Sequence, residues 1–132
     1  MVLNARLLRI SILVLLVLVT VMTGPAPGQA ASRRVIDVTA ERFEFWPTEI
    51  TIDRGEEVEI RITSDDTSHG FRIVGASTNV IVPKRGKGRA VTLFKADEAG
   101  RYTFECSRMC GAGHNFMRGV IVVREPGAAR SR

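Results

Sequence analysis

The chain is predicted to be an all-β sandwich or barrel of antiparallel strands, preceded by an N-terminal hydrophobic helix. Three observations lead there. Nothing between residues 33 and 124 sustains a helical apolar period over ten residues. Short β-branched and aromatic runs recur instead, with turn signals about every eight to twelve residues. One run, Glu57-Val58-Glu59-Ile60-Arg61-Ile62-Thr63, alternates without a fault. It turns Val58, Ile60 and Ile62 to a core and Glu57, Glu59 and Arg61 to water.

Residues 1–31 form the first element, a signal peptide or a membrane anchor. Arg6 and Arg9 make a positive n-region, and residues 10–22 are almost continuously apolar. Thirteen helical residues span only about 20 Å, short of a ~30 Å hydrocarbon core. Gly24, Pro25, Pro27 and Gly28 then break the helix, and Gly28-Gln29-Ala30 offers small residues at cleavage spacing. No charge falls between Arg9 and Arg33, so an uncleaved, tilted anchor beginning near Leu7 is the other reading. The absence of a cysteine near residue 25 excludes lipid attachment at such a residue. Either way the rest of the chain is expected outside the cytoplasm, in the periplasm or at the outer face of the cytoplasmic membrane. Thiols there are usually oxidised unless a metal holds them.

The globular domain is expected over residues 32–125, with a Gly/Arg-rich flexible tail over 126–132. Its strands fall in order at 35–40, 43–46 (closed by Pro47), 49–52 (ended by Asp53-Arg54-Gly55), 57–63, 69–74, 80–82, 90–94, 100–104 and 120–123. The expected core holds Val58, Ile60, Ile62, Phe71, Ile73, Leu93, Tyr102, Phe104, Val120 and Val122. Phe43 and Trp46 are assigned to core or edge packing. Tyr102, Phe104 and Cys106 share one face of their strand, which carries Cys106 inward.

Composition narrows the function. The formal charge is +5, and removing Arg6 and Arg9 leaves 17 basic against 14 acidic residues. That mild excess lacks the clustered basic and aromatic face of a nucleic-acid binder. Lys84, Arg85, Lys87 and Arg89, spaced by Gly86 and Gly88, read as a solvated hairpin tip. No catalytic base, nucleophile or phosphate loop is identifiable, so neither a small-molecule substrate nor catalysis by this chain alone is expected.

The chemistry is concentrated in one place. Residues 106–117 hold two thiols (Cys106 and Cys110), an imidazole (His114) and a thioether (Met117); His69 is the only other histidine. Soft sulfur donors with imidazole select copper, with zinc the main competitor. A mononuclear blue-copper site needs one thiolate, two imidazoles and a weak axial thioether. This chain supplies those four and a second cysteine. Two thiolates, each able to bridge, can hold two copper ions with one imidazole for each.

The spacing Cys106-x-x-x-Cys110-x-x-x-His114-x-x-Met117 with His69 upstream resembles the CuA domain of cytochrome c oxidase subunit II. The likeness extends to Phe43-x-Phe45-x-Pro47, His69-Gly70-Phe71, Gly100-x-Tyr102 and Cys110-Gly111-x-Gly113-His114, covering about residues 35–125. It implies a cupredoxin-like Greek-key β-sandwich or barrel with two copper ions. It further implies that Cys106 and Cys110 bridge the metals, that His69 and His114 each terminate one, and that Met117 and the Arg108 carbonyl are weak axial ligands. The implied function is one-electron transfer from a cytochrome or cupredoxin donor, as a subunit II-like module beside oxidase subunit I in the membrane. The alternative is an exported copper-binding or delivery protein without redox turnover.

Position 108 departs from the family, which usually carries Glu or Gln there. Ligation through the carbonyl survives the change, but a guanidinium cannot ligate a cation. Arg108 and Arg118 also place positive charge beside the site, which disfavours a basic donor. Three competing readings concern the thiols. Exported cysteine pairs are usually disulfides, and a Cys2His2 set suits zinc. Thioredoxin-like copper-delivery proteins also use CxxxC with a distant His, but in a different order and next to a helix.

Overall fold

The computed structural model describes residues 33–127; the expected leader over 1–31 and the end of the expected tail lie outside them. Nine strands run in order: β1 (Arg34–Glu41), β2 (Glu44–Trp46), β3 (Glu49–Asp53), β4 (Glu57–Ser64), β5 (His69–Ile73), β6 (Asn79–Val82), β7 (Ala90–Lys95), β8 (Gly100–Glu105) and β9 (Arg118–Arg124). The one helical element among the described residues is a 3-10 turn, His114–Phe116. The strands form two sheets, ordered β2-β1-β4-β7 and β3-β9-β8-β5-β6. The chain crosses between sheets five times, while β1–β2, β5–β6 and β8–β9 are neighbours in one sheet. This is the expected all-β sandwich.

Strand direction differs from the expectation in two places. β1 pairs with β4, and β3 with β9, in parallel. Alternation reports which face is buried and carries no information on direction. Each parallel pair arises because the chain leaves its sheet and returns before pairing.

Val58, Ile60 and Ile62 are completely buried, as alternation requires. Phe71, Ile73 and Phe104 join them, and Tyr102 packs against the core from a half-buried position. Three expected core residues are displaced by one register. Leu93 is exposed while Phe94 is buried, and Ile121 and Val123 take the interior in place of Val120 and Val122. Met117, Gly119, Ile121 and Val123 share a parity, and an added Cβ at Gly119 would lie 2.3 Å from the Phe104 ring. That inward-facing gap for Phe104 sets the frame of β9.

Two further expectations change. Trp46 is 74% exposed, since Phe45 takes the inward position of the three-residue β2. The Lys84–Arg89 segment joins β6 in one sheet to β7 in the other, so it is a crossover loop rather than a hairpin tip. Phe43 packs against the core as expected.

The core below the chemistry is aromatic. Phe45, Phe71 and Phe104 lie with ring centroids 5.2–5.6 Å apart, two of the three pairs edge-to-face. Phe71 lies two residues beyond His69 and Phe104 two before Cys106. Period-two geometry therefore aims His69 and Cys106 into the same interior that these rings fill.

Candidate metal centre

Two adjacent strand ends build the site. β5 begins with His69, and β8 ends at Glu105 immediately before Cys106. The two strands are neighbours in the five-stranded sheet. The remaining donors lie on the loop from β8 to β9. Its ends are latched by the Cys106 N–H donating to the Met117 carbonyl at 3.0 Å. Inside the loop the His114 N–H reaches Gly111 O at 3.1 Å, and the Phe116 N–H reaches Gly113 O at 2.9 Å. Phe43 seals the outside: Cβ atoms added to Gly113 or Gly111 would meet its ring at 2.3 and 2.9 Å. Arg42 donates through Nε to the Cys110 carbonyl at 2.8 Å.

All six predicted site residues converge. Cys106 Sγ lies 3.8 Å from Cys110 Sγ, 3.9 Å from His69 Nδ1 and 3.1 Å from the Arg108 carbonyl oxygen. Cys110 Sγ lies 3.8 Å from both His114 Nδ1 and Met117 Sδ. His69, Cys106 and Cys110 form a trio whose donor atoms are within 4.8 Å of one another, and His114 joins through Cys110. His69 is completely buried, both cysteines are 6% exposed and Met117 is 1% exposed; His114 is half-buried. The Arg108 side chain is exposed, and only its carbonyl turns inward.

These distances test the competing readings. A disulfide needs about 2.05 Å between sulfurs, so the 3.8 Å pair is two free thiols. Donors bound to one metal at about 2.0–2.3 Å lie some 3.3–3.8 Å from each other. The spacings found here therefore suit donors sharing metal ions. One imidazole stands beside each sulfur, and a thioether is added to the Cys110 side. That soft, asymmetric set fits copper better than zinc, for which a thioether is not a usual donor.

Two residues that support the donors were not singled out from the sequence. Asp66 accepts a 2.7 Å hydrogen bond from His69 Nε2. Burial pushes the Asp66 carboxyl up, but hydrogen bonds from His69 and from the backbone at Thr67 and Arg42 hold it below its ordinary value. An ionised carboxylate can only accept, so Nε2 carries a proton, and Nδ1 is the ring nitrogen turned toward the sulfur. The signal available in the sequence was Asp66 three residues before His69. Arg42, on the Cys110 carbonyl, left no such signal. Burial and the charge of Cys106 push the Cys110 thiol up to about 11. Without metal it is a neutral thiol at physiological pH, and loading must expel its proton.

The cupredoxin-like domain family model matches residues 11–123. Cytochrome c oxidase subunit 2 of Thermus thermophilus is 35% identical over 105 residues, covering 80% of this chain and 72% of that protein. The chain belongs to the cytochrome c oxidase subunit 2 family. A second subunit 2 sequence from Thermus thermophilus is also 35% identical, and the chain spans 58% of its length. The fold agrees with the periplasmic domain of subunit II of cytochrome oxidase from Bradyrhizobium japonicum. The TM-score is 0.64 at 19% identity, covering 70% of this chain and 85% of that one. A chain of a heme-copper terminal oxidase dimer matches with TM-score 0.62 at 24% identity, covering 92% of this chain and 99% of its own. In this chain the free thiol pair and its two imidazoles therefore sit on a cupredoxin-like scaffold.

Proposed function

We propose that this subunit 2 family member holds two copper ions in a CuA centre and passes single electrons through it. The observation that carries the reading is the pair of buried sulfurs 3.8 Å apart with a separate imidazole Nδ1 beside each. In this reading Cys106, Cys110, His69 and His114 would hold the copper ions, with Met117 and the Arg108 carbonyl oxygen as weaker donors beside them. Such a centre would supply one-electron redox chemistry.

The chain's own residues hold the ligands in place and shield them on two sides. Asp66 fixes the His69 ring and its tautomer. The Cys106–Met117 latch fixes the loop ends. Phe43 and the aromatic floor exclude water on two sides, so the donors reorganise little when charge changes. The domain works outside the cytoplasm, as an oxidase module taking electrons from a cytochrome or cupredoxin. The subunit 2 relatives and the periplasmic Bradyrhizobium domain support that setting.

Metal analysis and electron paramagnetic resonance on the copper-loaded chain test the proposal. The expected result is two coppers per chain and one unpaired electron coupled to both nuclei. His69→Ala should change count and spectrum together. A single Cu(I) handed readily to a chelator would support the delivery reading. An oxidised Cys106–Cys110 pair in the metal-loaded protein would refute both.

A further inference from the structure

The described residues include fifteen lysines and arginines, and nine of these sit in ion pairs. The six without an acidic partner among the described residues are Lys84, Arg85, Lys87, Arg89, Arg108 and Arg118. All six are exposed, and all six lie at the end of the sandwich that carries the metal donors. The β6–β7 loop is brought there by three links. Val82, the last residue of β6, pairs with His69. Ser68 Oγ donates to the Val82 carbonyl at 2.8 Å, and the Arg85 N–H donates to the Asp66 carbonyl at 3.2 Å. Arg108 lies within the ligand loop, and Arg118 closes it, donating to the Asn115 carbonyl. His69 therefore stands between two basic loops.

Between the charges lies exposed apolar surface. Met109 is 73% exposed and Phe116 79%, both on the ligand loop. Beside them a cleft of about 290 Å³, lined by Arg118 and by the Arg72–Glu105 ion pair, opens on Cys106, His114 and Met117. Phe, Met and Arg are the types enriched in the centre of protein interfaces, whereas lysines belong to the rim. Here the ligand loop carries Phe116, Met109 and Arg108, with Arg118 at its edge, and both lysines stand on the neighbouring loop. An anionic bilayer would account for the charge alone and would leave this sorting unexplained.

We infer that this end is the docking surface for a redox protein that presents carboxylates around its own exposed cofactor edge. Met109 and Phe116 make the dry centre, and the two basic loops make the complementary rim that steers the partner. The inference rests on the electron-transfer reading above and specifies the charge of the partner.

The test uses the full chain, copper-free and copper-loaded. The probes are cytochrome b5, whose haem edge is ringed by carboxylates, cytochrome c, whose haem edge is ringed by lysines, and phosphatidylglycerol vesicles. Lowering the salt from about 200 to about 20 mM lengthens electrostatic reach roughly threefold, and association with cytochrome b5 should tighten at least ~tenfold in both metal states. Cytochrome c should show the opposite trend. A variant carrying Lys84→Glu, Arg85→Glu, Lys87→Glu and Arg89→Glu should lose at least ~tenfold in cytochrome b5 binding, with circular dichroism and copper uptake unchanged. Tighter binding to cytochrome c, salt-independent behaviour, or a variant that binds cytochrome b5 like the parent would overturn the proposal. So would vesicle binding without cytochrome b5 binding. Failure to take up copper while the copper-free chain keeps its charge-dependent association would sink the copper reading and leave this surface standing.

Discussion

Gly70 is the position where one methyl group should disturb the site most directly. It is buried on β5, next to His69 and under the ligand loop. A Cβ there would lie 2.2 Å from Ser107 Oγ, 2.8 Å from the Arg108 nitrogen and 3.0 Å from the Ser107 carbonyl carbon. The hydroxyl can rotate away, but the main chain cannot. Relief to an ordinary 3.4 Å requires the Arg108 nitrogen to retreat by about 0.6 Å. That movement drags the Arg108 carbonyl, now 3.1 Å from Cys106 Sγ. Overpacking of this kind costs about 1–3 kcal/mol, which in a domain of this size lowers Tm by roughly 5–20 °C. Gly70→Ala should therefore melt earlier by calorimetry in the metal-free state and show altered copper absorption when loaded. Adding Ser107→Ala should restore only part of the loss, because the backbone clash remains. If Gly70→Ala melts within about 1 °C of the parent with an unchanged copper spectrum, or if Ser107→Ala restores it fully, the argument from backbone proximity is wrong.

Other outcomes follow from the same geometry. Asp66→Asn keeps the side-chain shape but removes the charge facing His69 Nε2; loss of such an outer partner typically weakens metal binding about 10–100-fold. Competition with a copper chelator should show that weakening, and unchanged retention would contradict the role given to Asp66. Phe45→Ala removes a completely buried ring from the aromatic cluster and should cost about 3–5 kcal/mol in urea unfolding; a loss under about 1 kcal/mol would show that the cluster is dispensable. The Cys110 thiol is raised from 9.0 to about 11, so between those pH values the unfolded chain releases its proton first. Stability of the metal-free chain should be full below pH 9 and fall as pH rises toward 11. Urea titration across that window checks the sign, and Cys110→Ser should flatten the curve.

Much of this molecule was legible because its signals carry contrast. β4 alternates charged and apolar residues, so the burial of Val58, Ile60 and Ile62 followed directly. All nine strands fall where the apolar runs and turn residues place them. β9 failed for the opposite reason. Val120-Ile121-Val122-Val123 is apolar on both faces, and period two cannot choose between them. The deciding fact was one of parity: Met117 facing inward commits Gly119, Ile121 and Val123 to the same side. β7 offered Leu93 and Phe94 as neighbours, and the ring went inside. At the site, the spacing of residues 106–117 and the upstream His69 singled out side chains that the fold does bring together. Supporting residues such as Arg42 act through a backbone carbonyl 68 positions away, and nothing local marks them. The crossover of the basic loop was hidden because hairpins and inter-sheet connections of this length share the same turn residues.

The hydrogen bond between Cys106 and Met117 has a wider meaning. By clamping the two ends of the intervening segment, it fixes where that segment leaves and rejoins its sheet. Between those fixed points the segment still lies flat on the body of the fold, with Ser107 and Arg108 over Gly70 and with Gly111 and Gly113 over Phe43. Any substitute for this stretch, whatever donors it carried, would have to keep glycine opposite the Phe43 ring.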